Sequence, residues 1–156
     1  MNRRHLFALF AALPFGAQRA FAAEDSSFEF TLTDAEWRAR LSPLAYDVLR
    51  HEATERPNSS PLNDEKRAGI FACAGCDLPL FDAATKYDSG TGWPSFFAPL
   101  DDAIRTKSDV SIFGFRTEVH CRRCGGHLGH VFEDGPAPTG LRYCMNGVSL
   151  KFLPQI

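Results

Sequence analysis

Five cysteines carry most of the chemistry open to this chain of 156 residues. Four fall in two matched units, Cys73-Ala-Gly-Cys76 and Cys121-Arg-Arg-Cys124. Each spacing lets a tight turn aim two sulfurs at one point, and two such turns supply the four thiolates of a tetrahedral zinc site. Gly75 and the pair Gly125-Gly126 give these knuckles backbone freedom. The 44 residues between the units exceed the gap of a compact zinc ribbon, so the metal would join two distant parts of one domain. A closed four-sulfur shell leaves no open position, so one structural zinc per chain is expected. The competing uses of these sulfurs are two disulfides or a redox pair; two matched units favour metal.

The fifth cysteine, Cys144, sits in Arg142-Tyr143-Cys144-Met145-Asn146. On a strand, period two puts Arg142, Cys144 and Asn146 on one face, with Tyr143 and Met145 turned to the core. A guanidinium two residues from a thiol favours the nucleophilic thiolate, and an amide two residues further offers hydrogen bonds to whatever the sulfur attacks. The plain alternative is a buried, inert cysteine. His127 and His130 follow the second knuckle. Odd spacing would put their rings on opposite faces, so Gly129 is expected to bend the chain and bring them together. Imidazole carries protons near neutral pH, and Asp134 could orient one ring. Core histidines or a spare metal site are the other readings. Gly92-Trp93-Pro94 presents a tryptophan on a glycine-flanked loop, as a pocket wall or as a core plug.

The elements that must position these groups are short. Thr33-Asp34-Ala35-Glu36 is a capping-box pattern, predicting a helix from about Asp34 to Arg40. Ser42-Pro43 restarts a helix through about His51. Asn58 to Asn63 reads as a loop. Strands are expected at Gly69 to Cys73, Leu78 to Phe81, Leu128 to Phe132, Leu141 to Asn146 and Val148 to Leu153. Val110, Ile112, Phe113, Phe115 and Val119 suggest a strand or bent hairpin from Val110 to Cys121. The reading is a mainly β domain with two helices at its entrance.

Residues 1–22 look like an address. Arg3 and Arg4 precede an apolar run of about ten residues and a small-x-small ending, the form of a secretory signal of the twin-arginine type. Cleavage after Ala22 would leave residues 23–156 as a single domain. It removes Arg3, Arg4 and Arg19 and no acid, taking the net charge from −2 to −5. An acidic chain is a poor candidate for nucleic acid, and the apolar run is too short to span a bilayer. A periplasmic location follows, where loose thiols tend to pair.

Taken together, the motifs resemble the B-type methionine sulfoxide reductases. The resemblance spans roughly residues 30–154. It rests on Glu36-Trp37, Leu41-Ser42-Pro43, both Cys-x-x-Cys units, Thr85 to Gly90, Gly92-Trp93-Pro94-Ser95-Phe96, His127-Leu128-Gly129-His130-Val131-Phe132, Asp134-Gly135-Pro136 and Arg142-Tyr143-Cys144. It implies a fold of two antiparallel sheets with short N-terminal helices and a structural zinc. It implies reduction of the R epimer of methionine sulfoxide in oxidised proteins, and leaves free methionine sulfoxide open as a second substrate. Cys144 matches the nucleophile, Trp93 the wall that receives the substrate methyl group, and His127, His130, Asp134, Arg142 and Asn146 the site lining. Cys73, Cys76, Cys121 and Cys124 match the zinc ligands.

The chain departs from that pattern twice. Many members carry a resolving cysteine where this chain has Thr91, so a Cys144 sulfenic acid would need an external thiol, from a thioredoxin-like protein or a small dithiol. Gly147 stands where a serine is common, and is expected to trade a hydrogen bond for backbone freedom. No obligate partner is implied, and a monomer is expected. The rival functions are a zinc-dependent binding module, which has no use for a thiolate, and a metal hydrolase built on His127 and His130, which lacks a third ligand.

Overall fold

The computed structural model describes residues 28–111 and 114–155. The signal-peptide reading of residues 1–22 lies outside the described residues. Helix α1 (Asp34–Arg40) opens with the reciprocal Thr33–Glu36 capping box, and α2 (Pro43–His51) starts at the Ser42 cap with proline in its first turn. Both match the sequence expectation because caps are local signals. Helix α1 buries Trp37, and α2 buries Ala45, Tyr46, Val48 and Leu49.

Among the described residues nine strands follow: β1 (Gly69–Cys73), β2 (Pro79–Asp82), β3 (Lys86–Tyr87), β4 (Ser95–Phe96), β5 (Ile104–Ser111), β6 (Gly114–Cys121), β7 (His127–Phe132), β8 (Arg142–Met145) and β9 (Leu150–Pro154). They form a three-stranded sheet, β2-β1-β9, and a six-stranded sheet, β3-β4-β8-β7-β6-β5. Every pairing is antiparallel. The fold is thus mainly β with two sheets and two short helices in front. Phe71, Leu80, Phe81, Phe96, Val119, Leu128 and Met145 are fully buried in one core. Phe81 stacks on Phe96 with centroids 4.3 Å apart, and Phe71 meets Phe96 edge-on at 5.0 Å.

Three sequence expectations change. The strand or bent hairpin expected from Val110 to Cys121 is a hairpin that begins earlier, at Ile104, because the polar run Arg105 to Asp109 pairs residue for residue with β6. Val110 and Phe115 are not core residues: they lie opposite each other towards the hairpin's outer end, 70% and 89% exposed. The loop from Asn58 contains a single 3-10 turn, Pro61–Asn63, capped by Ser60. The last strand starts two residues late because Gly147–Ser149 forms another such turn after β8.

Candidate active site and metal centre

Cys73, Cys76, Cys121 and Cys124 converge, all buried, with their four sulfurs within 4.8 Å of one another. Cys73 and Cys124 lie 3.7 Å apart and Cys76 and Cys121 3.5 Å, so each close pair joins the two knuckles. Around a zinc with bonds of about 2.3 Å, tetrahedral sulfurs sit roughly 3.8 Å apart, so the donor set fits that ion. All four are free thiols, and the disulfide alternative is not what the geometry holds. Hydrogen bonding to neighbouring sulfurs, then burial, pushes the Cys73 and Cys124 thiols up, and a bound dication would remove that barrier to ionisation. Arginines brace the knuckles: Arg40 Nε donates to Gly75 O at 2.6 Å, Arg50 to Cys124 O at 3.1 Å and Arg123 to Cys76 O at 3.0 Å. Gly126 packs closely, since a Cβ there would come 2.7 Å from the end of the Leu49 side chain and 3.3 Å from the Cys124 sulfur.

Cys144 lies mid-sheet on β8, opposite Ser95 of β4 on one side and His130 of β7 on the other. It opens on a cavity of about 190 Å³ lined by Thr54, Trp93, Arg116, Gly129, His130, Phe132, Cys144 and Asn146. Trp93 and Phe132 make its apolar walls; Arg116 and His130 make a polar one. A larger groove of about 840 Å³ runs between Lys66, Pro79 and Leu153, but no cysteine or histidine lines it.

The two histidines do come together, with ring centroids 5.4 Å apart. The device is a bulge rather than a bend at Gly129. Val119 pairs with Gly129 while the next residue, His120, pairs with His127, so Leu128 is the extra residue. One inserted residue turns odd spacing into same-face spacing, which puts both rings with Glu118 on one face. Gly129 serves a different need: a Cβ there would meet the Cys144 carbonyl oxygen at 2.1 Å, so only glycine lets β7 approach β8.

Each ring has its own carboxylate, and neither is Asp134. His127 Nδ1 pairs with Glu118 Oε1 at 2.8 Å, and His130 Nε2 with Asp109 Oδ2 at 2.8 Å. Burial pushes His127 down to about 4, so this ring is neutral near pH 7; burial also lowers His130, against the pull of Asp109. His127 does not line the cavity, and its Nε2 is buried with no partner among the described residues. Asp134 instead takes both ends of Arg142, at 2.8 Å each, on the exposed side of β8. Sequence proximity suggests that Asp134 orients a ring; β6 and β5, which lie in turn on one side of β7, supply the carboxylates instead.

Arg142 lies beside the cavity rather than in its wall, with its guanidinium 4.3 Å over the Phe132 ring. Asp134, and to a lesser extent the Cys144 sulfur, raise its already high pKa, so it stays cationic next to the thiol. Asn146 reaches the cavity, but its amide is committed to backbone: Oδ1 accepts from Glu55 N at 3.0 Å and Nδ2 donates to Leu128 O at 3.1 Å. It braces the site more than it offers free donors. Thr91 Oγ1 lies 3.8 Å from the Cys144 sulfur, at the end of a hydroxyl row through Ser89 to Ser95. Gly147 is explained by space and not by backbone freedom, since a Cβ there would sit 1.9 Å from Ser60 Oγ.

Sequence reasoning missed Asp109, Arg116, Glu118 and Glu55. Arg116 and Glu118 stand two apart on β6, a spacing that marks a shared face without saying what it meets. Glu55 is 3% exposed and works as a hub. Its carbonyl accepts from Trp93 Nε1 at 3.2 Å, and its carboxylate accepts from Gly147 N and Val148 N.

The SelR domain family matches this chain over residues 41–154. A Pseudomonas putida protein named peptide methionine sulfoxide reductase MsrB is 57% identical over 77% of this chain and 91% of its own length. Proteins of the same name from Methanosarcina barkeri and Methylibium petroleiphilum are 54% and 48% identical, over 77% and 86% of this chain and 85% and 98% of their own lengths. With Cys144 on a cavity it shares with Trp93 and His130, and with a separate cluster of four cysteines, this chain belongs to the SelR-domain family of MsrB-type peptide methionine sulfoxide reductases.

Proposed function

We propose that the chain repairs oxidised proteins by reducing the R epimer of methionine sulfoxide at Cys144. The observation that carries this reading is that Cys144 opens on one cavity lined by both apolar and polar groups, Trp93 and Phe132 with His130 and Arg116. The substrate methyl group would rest on the aromatic walls and the oxygen would face His130, which fixes one epimer. The Cys144 thiolate attacks the sulfoxide sulfur as the oxygen gains a proton. Overall, thiolate, sulfoxide and one proton give methionine and a Cys144 sulfenic acid. Two external thiols then restore Cys144, releasing water and leaving as their own disulfide. His127 is neutral and shielded, so His130 is the donor facing the cavity.

A structural zinc would be held by Cys73, Cys76, Cys121 and Cys124, clipping the β1 knuckle to the knuckle between β6 and β7. Export by the twin-arginine route to the periplasm, as a folded monomer, would keep those thiolates occupied in an oxidising compartment. The hydrolase alternative loses ground because, among the described residues, only the four cysteines gather as a group of three or more metal-holding side chains, so His127 and His130 lack a third ligand.

The test is incubation with R- and S-methionine sulfoxide, free and in a peptide, with dithiothreitol as reductant. The R epimer should be consumed and the S epimer left. Consumption of the S epimer, or of neither, removes this reading.

A further inference from the structure

The β5–β6 hairpin carries two cross-strand ion pairs on one face, Lys107 opposite Glu118 and Asp109 opposite Arg116. Each pair presents its carboxylate to one histidine of β7. The outer pair acts on the ring that faces the cavity. Asp109 Oδ2 receives His130 Nε2 at 2.8 Å and Arg116 Nη2 at 2.6 Å. We infer that Asp109, clamped by Arg116, is a positioning residue that fixes His130 as its Nε2–H tautomer, so that His130 passes its proton through Nδ1; this rests on the reductase reading above.

The chemistry follows from what an ionised carboxylate can do. His130 first, and Arg116 after it, hold the Asp109 carboxyl below its usual range, so near neutral pH Asp109 only accepts. The proton of that hydrogen bond must therefore sit on Nε2. His130 Nδ1 makes no hydrogen bond to any described residue, and the ring lines the cavity that Cys144 opens on. Protonation places the second proton on Nδ1, and a neutral ring is left there after transfer to the sulfoxide oxygen. The charged or titratable groups around His130 are Asp109 on β5, Arg116 and Glu118 on β6, His127 on β7 and Cys144 on β8. Of these, Asp109 alone is hydrogen-bonded to it among the described residues. Arg116 and His127 both oppose the charged ring, so Asp109 is the group that keeps imidazolium accessible.

The test is long-range proton–nitrogen correlation NMR of histidine-labelled, zinc-loaded, reduced protein across pH 5 to 9, with kcat/KM measured over the same range. His130 should show the Nε2–H pattern when neutral. Asp109→Asn keeps an acceptor for Nε2 but loses the charge, so the His130 titration should move about one unit lower, and the alkaline fall in kcat/KM should move with it. Asp109→Leu should let the tautomers mix. An Nδ1–H pattern in the unaltered protein overturns the inference, as does an unmoved titration in folded Asp109→Asn protein. If that variant does not fold, the tautomer in the unaltered protein decides alone. Failure to reduce the R epimer would remove the reductase reading while the nitrogen signals still judge the placement of the proton.

Discussion

Thr91 Oγ1 lies 3.8 Å from the Cys144 sulfur, the place a second thiol would have to occupy to trap an oxidised nucleophile within the chain. The other four cysteines are buried together at the metal centre. Thr91→Cys should therefore install a resolving thiol. One turnover without reductant should leave that variant two free thiols short, joined as a 91–144 disulfide in a peptide map. The unaltered protein should show no intrachain disulfide.

Glu55 ties three segments around the site: its N–H donates to Asn146 Oδ1, its carbonyl holds Trp93, and its carboxylate caps the turn after β8. Burial raises its pKa, against the pull of those backbone donors. Glu55→Ala leaves Gly147 and Val148 N–H groups unpaired and should lower stability by about 2 kcal/mol, on the scale of a buried donor left unsatisfied. Urea unfolding checks this. KM for the sulfoxide should rise because the Trp93 backing moves.

Acid should destabilise the fold through His127. Its folded pKa, about 4, lies below the unfolded value near 6.5, so the unfolded chain binds protons first as pH falls. Stability is full above pH 6.5 and declines from there to about pH 4, by an amount on the order of 3 kcal/mol. Urea midpoints at pH 7, 5.5 and 4.5 should trace that loss, and His127→Asn should flatten it.

Metal removal should act on the fold before the chemistry. The four-cysteine cluster joins the β1 knuckle to the knuckle that precedes β7, so a chelator under denaturing stress should lower Tm and abolish reduction together. Freshly purified protein should hold one equivalent of zinc, and Cys144→Ser should hold the same. Less than half an equivalent would argue against a zinc centre.

Most of the fold was legible because its signals are local. Thr33, Ser42 and Pro43 mark helix starts that the structure reproduces, and paired cysteine turns announced the metal centre. The site was legible on the strands that carry its motifs, β7 and β8, and in the Trp93 loop. Asp109 and Glu118 depend on hairpin register and on a bulge at Leu128, which no local pattern specifies. Glu55 meets Asn146 across 91 residues of chain. Nearness in sequence points to Asp134, where the sheet order brings β5 and β6 to the histidines instead. Val110 and Phe115 fit the strand pattern but are exposed, opposite each other towards the outer end of the hairpin.

The most direct test takes reduced, zinc-loaded protein and a small excess of R-methionine sulfoxide without any thiol. The expected result is one methionine formed per chain, with Cys144 alone trapped as a sulfenic acid by dimedone in the peptide map, and no methionine from Cys144→Ser. Methionine formed by Cys144→Ser, or an intrachain disulfide at Cys144 in the unaltered protein, would contradict it.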